Sequence, residues 1–419
     1  SLNAISTMLD RWGFPCSSVG FISQTLSRIG ALLPMTISTI NGARQYLVFA
    51  NDEIFSKSRP ILITVDPYSS TIVRIELSHS RKTEDWQKHF EEINANGTHA
   101  LSSVSDDAQG IRAAHNAVMG DTIRQSDTYH AIAHRLGKWV STLEGAAYKA
   151  IRIEQACKEK LNSAKHEIAK EALLKEYQLA NEAASREIAL YDDFYFFYLY
   201  LIGELNLFDC QGELRERQQV EDEITLVLSL LEALKHPKIT IAVKQIERAL
   251  PDLLHYFDSA KPIVYECQQL SIDDTCLKEI FLAWQWNKAL VKAKKTSRKN
   301  LARSQQQSHL KNAEDLCSQE LKDIQVEIYA KLDKIVQSSA MVECINSILR
   351  PHLNTSKNQV TQEQLNLFMF YHNHRRYRAG KRVRKTPMEL LTGKEQTEDW
   401  ISLILNILKE KDPELLLAA

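Results

Sequence analysis

Three carboxylates stand where a carboxylate can do chemistry. Asp52 closes a β-rich run, RQYLVFAND; Asp106 closes another, HALSSVSDD; Glu343 lies early in a helical stretch, MVECINSILRPHL. A sheet brings neighbouring strand ends together, and a helix packed across that edge delivers a third acid to the same point. Carboxylates so gathered repel one another unless a cation lies between them. Their hard oxygens suit Mg²⁺ or Mn²⁺. Two such ions activate a water or a 3′-hydroxyl and stabilise the leaving oxygen of a phosphodiester. Acids after strands are also common turn residues, and spacing alone leaves Asp66 and Asp107 as rivals.

The elements that must position these acids follow from the hydropathy pattern. RQYLVFAND, PILITVDPYSS and TIVRIELS are rich in β-branched and apolar residues and predict an antiparallel meander of three strands. Lys82–Ile93 predicts a helix with Trp86, Phe90 and Ile93 on one face. The strand ending at Asp106 follows, then a helix from Gly110, an α/β order. From about Gly137 helical spacing predicts helices at Leu143–Leu173, Leu174–Leu205, Glu213–Leu234, Ile239–Leu250, Leu277–Arg303 and Leu310–Ile335. Breaks are expected at Pro237, Pro251 and Pro262, and no internal repeat is visible. A helix over 339–350 stopping at Pro351, a helix over 361–378, a basic loop and a helix over 399–409 complete the pattern. Upstream, two short helices within 1–33, parted by WGFPCSSVG, have the shape of a helix-turn-helix DNA reader. The chain opens in mid-pattern at Ser1-Leu2-Asn3, so an upstream segment is expected.

Composition excludes some classes. Lys+Arg is 52 against 53 Asp+Glu, so net charge points to no partner, and only charge distribution is informative. The seven cysteines are scattered without a CxxC pair, as expected for reduced thiols of a cytoplasmic protein rather than a disulfide framework. No apolar stretch is long enough to cross a membrane; the nearest, YDDFYFFYLYLIGELN, carries acids.

Four motifs resemble DDE-type transposases and retroviral-type integrases. LVFANDEIF with RPILITVDPYSSTIVRIELS resembles that family's opening, in which an aspartate closes the first strand and a later turn carries D-x-x-S. SVSDDAQGI resembles the second motif, MVECINSILRPHL the third, and FYHNHRRYRAGKRVRKTPMELLTG the Tyr-x-Asn and Thr-Pro tail. Together they cover roughly residues 44–135 and 336–393, and the helical middle fits family members with an insertion before the glutamate. The resemblance implies that Asp52, Asp106 and Glu343 are both catalytic and metal-binding, on a two-metal Mg²⁺ or Mn²⁺ site. It makes Asp66 a turn residue, and prefers Asp106 over Asp107 because it follows Ser105. It also implies that Asn346, Arg350 and His130 approach DNA. The architecture expected is α/β plus a large all-α insertion: a ribonuclease H-like catalytic core with an N-terminal helix-turn-helix-like segment. Its parts are a DNA-binding remnant over 1–40, core over 41–136, insertion over 137–335, core with the glutamate helix and basic tail over 336–395, and a C-terminal helix over 396–419.

Two basic spans complete the expectation. Lys288–Arg303 and His372–Lys385 each hold seven Lys/Arg and no acid. Such runs bind phosphates by counterion release, without regard to sequence. The DNA contacts expected are Lys295, Arg298 and Lys299 in the first span, and Arg375, Arg376, Arg378, Lys381, Arg382, Arg384 and Lys385 in the second. Tyr377 among them is placed to stack on a base, Arg135 to touch phosphate, and Trp284 or Trp286 to stack on a flipped base, with at least one of the two in the core. The family implies a DNA transposase that cuts transposon ends and joins them to target DNA, as a homodimer or larger assembly, in the bacterial cytoplasm at the nucleoid. The rivals are a domesticated, non-catalytic DNA-binding protein and a structure-specific nuclease of the same fold.

Overall fold

In this computed structural model residues 2–38, 44–106, 108–317, 321–356 and 359–417 are described. The first elements are α1 (Leu2–Arg11), α2 (Val19–Leu32), β1 (Gln45–Ser56), β2 (Arg59–Val65), β3 (Ile72–Leu77), α3 (Thr83–Ala95), β4 (Thr98–Ser105), α4 (Gln109–Val118) and β5 (Ile123–Ser126). A π-helical turn, Tyr129–His134, runs directly into α5 (Arg135–Ser163). Then come α6 (Glu167–Glu204), α7 (Arg217–Ala233), α8 (Pro237–Leu253), α9 (His255–Gln268), α10 (Asp274–Lys292), α11 (Thr296–Leu316) and α12 (Leu321–Leu332). The chain closes with α13 (Ala340–Thr355), α14 (Gln362–His374), α15 (Pro387–Thr392), α16 (Trp400–Lys411) and α17 (Pro413–Leu417). It divides into two units: Ser1–Asp127 with Val336–Ala419, and Thr128–Ile335.

The first unit is built on a five-stranded mixed sheet of order β3-β2-β1-β4-β5. β1, β2 and β3 are an antiparallel meander, while β1–β4 and β4–β5 are parallel. Successive strand residues face opposite ways, and two adjacent side chains show what covers each face. Asn51 accepts from the Thr64 hydroxyl at 2.7 Å, and Thr64 meets His89 of α3 at 3.0 Å. Its neighbour Asp52 instead meets Asn346 of α13. Helices α3 and α13 therefore cover opposite faces, and Trp86, Phe90, Val342, Ile345 and Leu349 fill the core with the strands.

The free edge of β3 is covered. Ile72 exchanges two bonds of 2.9 Å with the Asn373 amide, and Gln362 accepts from Leu77 N–H at 2.7 Å. Ile37 N–H donates to Val73 O and Ile75 N–H to Met35 O. An exposed edge would invite pairing with other chains; here both ends of α14 and the segment after α2 occupy it. Helix α2 itself packs on α14, where Asn366 donates to the carbonyls of Gly30 and Leu33 at 3.0 and 3.1 Å.

The second unit is all-helical around an apolar core that includes Phe194, Phe208, Leu228, Ile246, Phe257 and Ile280. Among the described residues no helix is long and apolar enough to cross a membrane.

Several expectations shift. Asp52 does not end its strand: β1 continues to Ser56 in its antiparallel pairing with β2. The short strand β5 was not foreseen, and the helical unit begins at Thr128 rather than 137. The single helix expected over Leu277–Arg303 is broken between Lys292 and Thr296, which makes α10 and α11. Helix α9 runs through Pro262, and α13 runs through Pro351 to Thr355 because Leu349 and Leu353 are buried on either side of the proline.

Candidate active site

Strand ends gather the acids. The parallel ladder of β1 with β4 stops at Ala50↔Val104, and β1 projects beyond it. Two further residues along the same register put Asp52 beside Asp106, with adjoining strands about 4.8 Å apart. The β4–β5 register ends at Ser105↔Ser126, so Asp127 follows at the same level. Its N–H donates to Ser105 O at 2.8 Å. Asp106 and Asp127 thus follow the carboxyl ends of β4 and β5, level with Asp52 inside the longer β1, at the edge where open α/β sheets bind ligands.

Each carboxylate is oriented. Asp52 Oδ1 accepts from Glu53 N–H and Oδ2 from Asn346 Nδ2, both at 2.8 Å. Asp106 Oδ1 accepts from Ala108 N–H at 3.0 Å. Asp127 Oδ2 accepts from the N–H and hydroxyl of Ser339, both at 2.7 Å, just before α13. The rival Asp107 lies outside the described residues. Asp66 is buried in the β2–β3 turn, accepting from Ser69 N–H and Oγ at 2.8 and 2.6 Å.

The two pins on α13 fix the position of Glu343. Ser339 is tied to the end of β5 and Asn346 to β1, with β4 between them in the sheet. Seven helical residues rise about 10.5 Å, close to the roughly 9.6 Å of two strand spacings. Glu343 lies on α13 between these two pins, four residues after Ser339 and three before Asn346. Its side chain is exposed. Among the described residues no three His, Cys, Asp or Glu side chains stand at metal-ligating spacing. The three acids share one edge without closing into a ligand set. One buried atom fits a hard cation or its water: Asn346 Oδ1 has no hydrogen-bond partner, although its amide nitrogen holds Asp52. A buried acceptor left so costs free energy, and an amide oxygen beside the Asp52 carboxylate is the donor chemistry that Mg²⁺ takes.

A neighbouring ion pair was not foreseen. Glu53, one residue beyond Asp52, pairs with Arg81 at 2.9 Å. Burial pushes the Glu53 carboxyl above its ordinary range, the Arg81 hydrogen bond opposes the rise, and the Asp106 charge adds to it. Asp127 was also missed; no sequence signal joins it to Ser339, 212 residues away.

The basic residues divide by task. Arg350 and, in the tail, Arg378, Lys381, Arg384 and Lys385 are exposed. Arg376, expected on DNA, is engaged within the fold: it binds Glu389 at 2.8 and 3.0 Å and the carbonyls of Arg384 and Gln396. Arg382 donates to the carbonyls of Pro67 and Tyr68 at 3.2 and 3.0 Å, bracing the β2–β3 turn. Tyr377 meets Ser70 Oγ at 2.5 Å and His372 meets Ser70 O at 2.9 Å, so the tail straps the same turn. Arg375 is half-buried, over the Tyr371 ring.

In the helical unit His130 is half-buried in the π-helical turn, its ring 6.0 Å from that of His134, and Arg135 is half-buried at the start of α5. Lys295 caps α11 and Arg298 and Lys299 lie in its first turn, all exposed. Cations there oppose the helix dipole. Trp284 is core: its indole N–H donates to Asp333 at 3.0 Å and its ring meets Phe208 edge-on. Trp286 is half-buried. Lys288, in the first basic span, pairs with Asp333 at 3.0 Å.

No family model matches the chain, and no curated protein matches it. Among solved structures it is similar to a Drosophila P element transposase strand transfer complex, at 13% identity over 99% of this chain and 93% of that chain, with a TM-score of 0.24. A superposition that loose leaves fold and activity to be argued from this chain's own residues.

Proposed function

We propose that this chain is a DNA transposase with a ribonuclease H-like core, cutting element ends and joining them to target DNA. The observation that supports this reading is that α13, which carries Glu343, is tied to the end of β5 by Asp127–Ser339 and to Asp52 of β1 by Asn346. The sheet order β3-β2-β1-β4-β5, antiparallel in its first three strands, supports the core assignment.

On this reading Asp52, Asp106 and Glu343 would hold Mg²⁺ or Mn²⁺, which supplies activation of the attacking oxygen and stabilisation of the leaving one. The chain's own part is orientation. Glu53 N–H and Asn346 fix both oxygens of Asp52, and Asn346 Oδ1 offers a further acceptor at the same point. Arg350, the exposed tail cations and the α11 cluster Lys295, Arg298 and Lys299 would hold phosphates, with His130 and Arg135 beside the DNA. Joining two ends calls for at least two copies of the chain.

The test is nicking of supercoiled plasmid and strand transfer of labelled element-end DNA with Mg²⁺ or Mn²⁺. Asp52→Asn and Glu343→Gln should each lower the rate by about 10³-fold or more and leave duplex binding intact. Activity that survives either change removes the triad. Binding by the wild type without cleavage favours a domesticated DNA-binding protein, and cleavage without joining a nuclease.

A further inference from the structure

The acid-bearing edge has a repulsion problem of its own. Asp52 and Glu53, which face opposite ways on β1, lie near Asp106 and Asp127 just past the ends of β4 and β5, and a phosphodiester brought to them is also an anion. One cation is built into that edge. Arg81 lies between β3 and α3 and is held by two independent contacts. Its guanidinium pairs with Glu53 at 2.9 Å. Its backbone carbonyl lies against Gly110, in the first turn of α4 just after Asp106, where an added Cβ would stand 2.5 Å from Arg81 O. Only glycine permits that approach, so the Arg81 loop and the Asp106 turn are locked together.

The pair is lopsided. The Glu53 side chain is 7% exposed and that of Arg81 is 61% exposed. An ion pair this open contributes little stability. It does hold the largely exposed guanidinium 5.7 Å from the Phe55 ring centre. A planar guanidinium presents paired donors that match two phosphate oxygens.

We propose that Arg81 is a substrate-phosphate ligand of the carboxylate site, gripping a DNA backbone phosphate beside the scissile bond; this rests on the polynucleotidyl-transfer reading above. Glu53 positions the guanidinium, and the close approach of Gly110 to the Arg81 carbonyl positions its backbone.

Wild type, Arg81→Ala, Arg81→Lys and, as a same-charge control at the β1–β2 turn, Lys57→Ala are compared. Duplex affinity is measured by fluorescence anisotropy with a labelled random-sequence DNA in EDTA. Plasmid nicking is followed with Mg²⁺. Each phosphate contact contributes a salt slope of about 0.9, or about 3.5-fold in affinity between roughly 50 and 200 mM salt. Arg81→Ala should lose that factor and raise the KM for plasmid. Arg81→Lys should keep the slope, and Lys57→Ala should match wild type. Melting temperatures confirm folding. A wild type that nicks, beside an Arg81→Ala variant with unchanged slope and KM, overturns the assignment alone. A wild type that neither binds nor nicks DNA overturns the transferase reading and this inference with it.

Discussion

The two units bury different things. Among the described residues the helical unit buries only two polar side chains, Thr128 and Glu204, whereas the sheet unit buries a connected polar framework. Behind Asp52 it runs from Ser103 through Asn51, Thr64, His89 and Glu76 to Arg74 and Thr36. Under the β2–β3 turn it runs from Asp66 through Ser69 and Ser70 to His372. Apolar packing is non-directional and suffices for a body that carries cations on its surface. Placing acids on one edge needs directional bonds, each of which costs desolvation unless it is satisfied. The contrast predicts that the helical unit responds to lost volume and the sheet unit to lost hydrogen bonds or changed protonation.

The largest effect on stability belongs to the apolar unit. Phe257 is fully buried, its ring 4.4 Å from that of Tyr256. Phe257→Ala should cost about 3–5 kcal/mol, read as an earlier unfolding transition by circular dichroism. If the transition does not move, the helical core is not the packed body described. The sheet unit should respond to acid instead. Burial holds His89 and His372 down at about 4, against the pull of Glu76 on the first and of the bonded Ser70 carbonyl on the second. At neutral pH His89 is therefore uncharged, and its contact with Glu76 is a hydrogen bond rather than an ion pair. The unfolded chain takes up protons on both below pH 6.5, and the folded one only near 4. Stability should thus be complete above 6.5 and fall as pH drops to 4, by about 3 kcal/mol for each histidine. Glu76, held down to about 2 by His89 and Arg74 against the push of burial, adds its own loss only below pH 4.5. His89→Gln should flatten part of the slope; an unchanged profile would contradict the neutral, buried state.

Legibility in the sequence divides along the same line. The strands around Asp52 and the Trp86–Phe90–Ile93 face were legible because apolar side chains repeat at the period of their element. Strand β5, IRQS, was not: Arg124 and Gln125 are buried through bonds to Ser126, and no hydropathy pattern marks them. Helix α9 was hidden because Pro251 and Pro262 read as breakers, although both lie within helices. The tail read as a uniform basic surface. Arg376 is engaged by Glu389, which the Thr386 capping box of α15 holds in place, a pairing with no periodic signal. The candidate acids stood out by expected strand ends and motif order, whereas the bonds of Asp52 and Asp127 to Asn346 and Ser339 join residues hundreds of positions apart.

The smallest of these effects on stability tests that last point directly. Asp127 is not among the three metal-ligand candidates, yet its carboxylate takes both donors of Ser339 and so anchors the helix that carries Glu343. Asp127→Ala leaves those donors buried without this acceptor and should cost about 1–3 kcal/mol. Ser339→Ala, which keeps the N–H bond, should cost less. If α13 is positioned by this bond, the nicking rate of the folded protein should fall in both variants, because the helix that carries Glu343 shifts. A merely structural bond would lower the melting temperature and leave the rate of the folded fraction unchanged. That outcome would leave Asn346 as the sole pin on α13 and make the bond from Asn346 to Asp52 the one on which placement of the third acid depends.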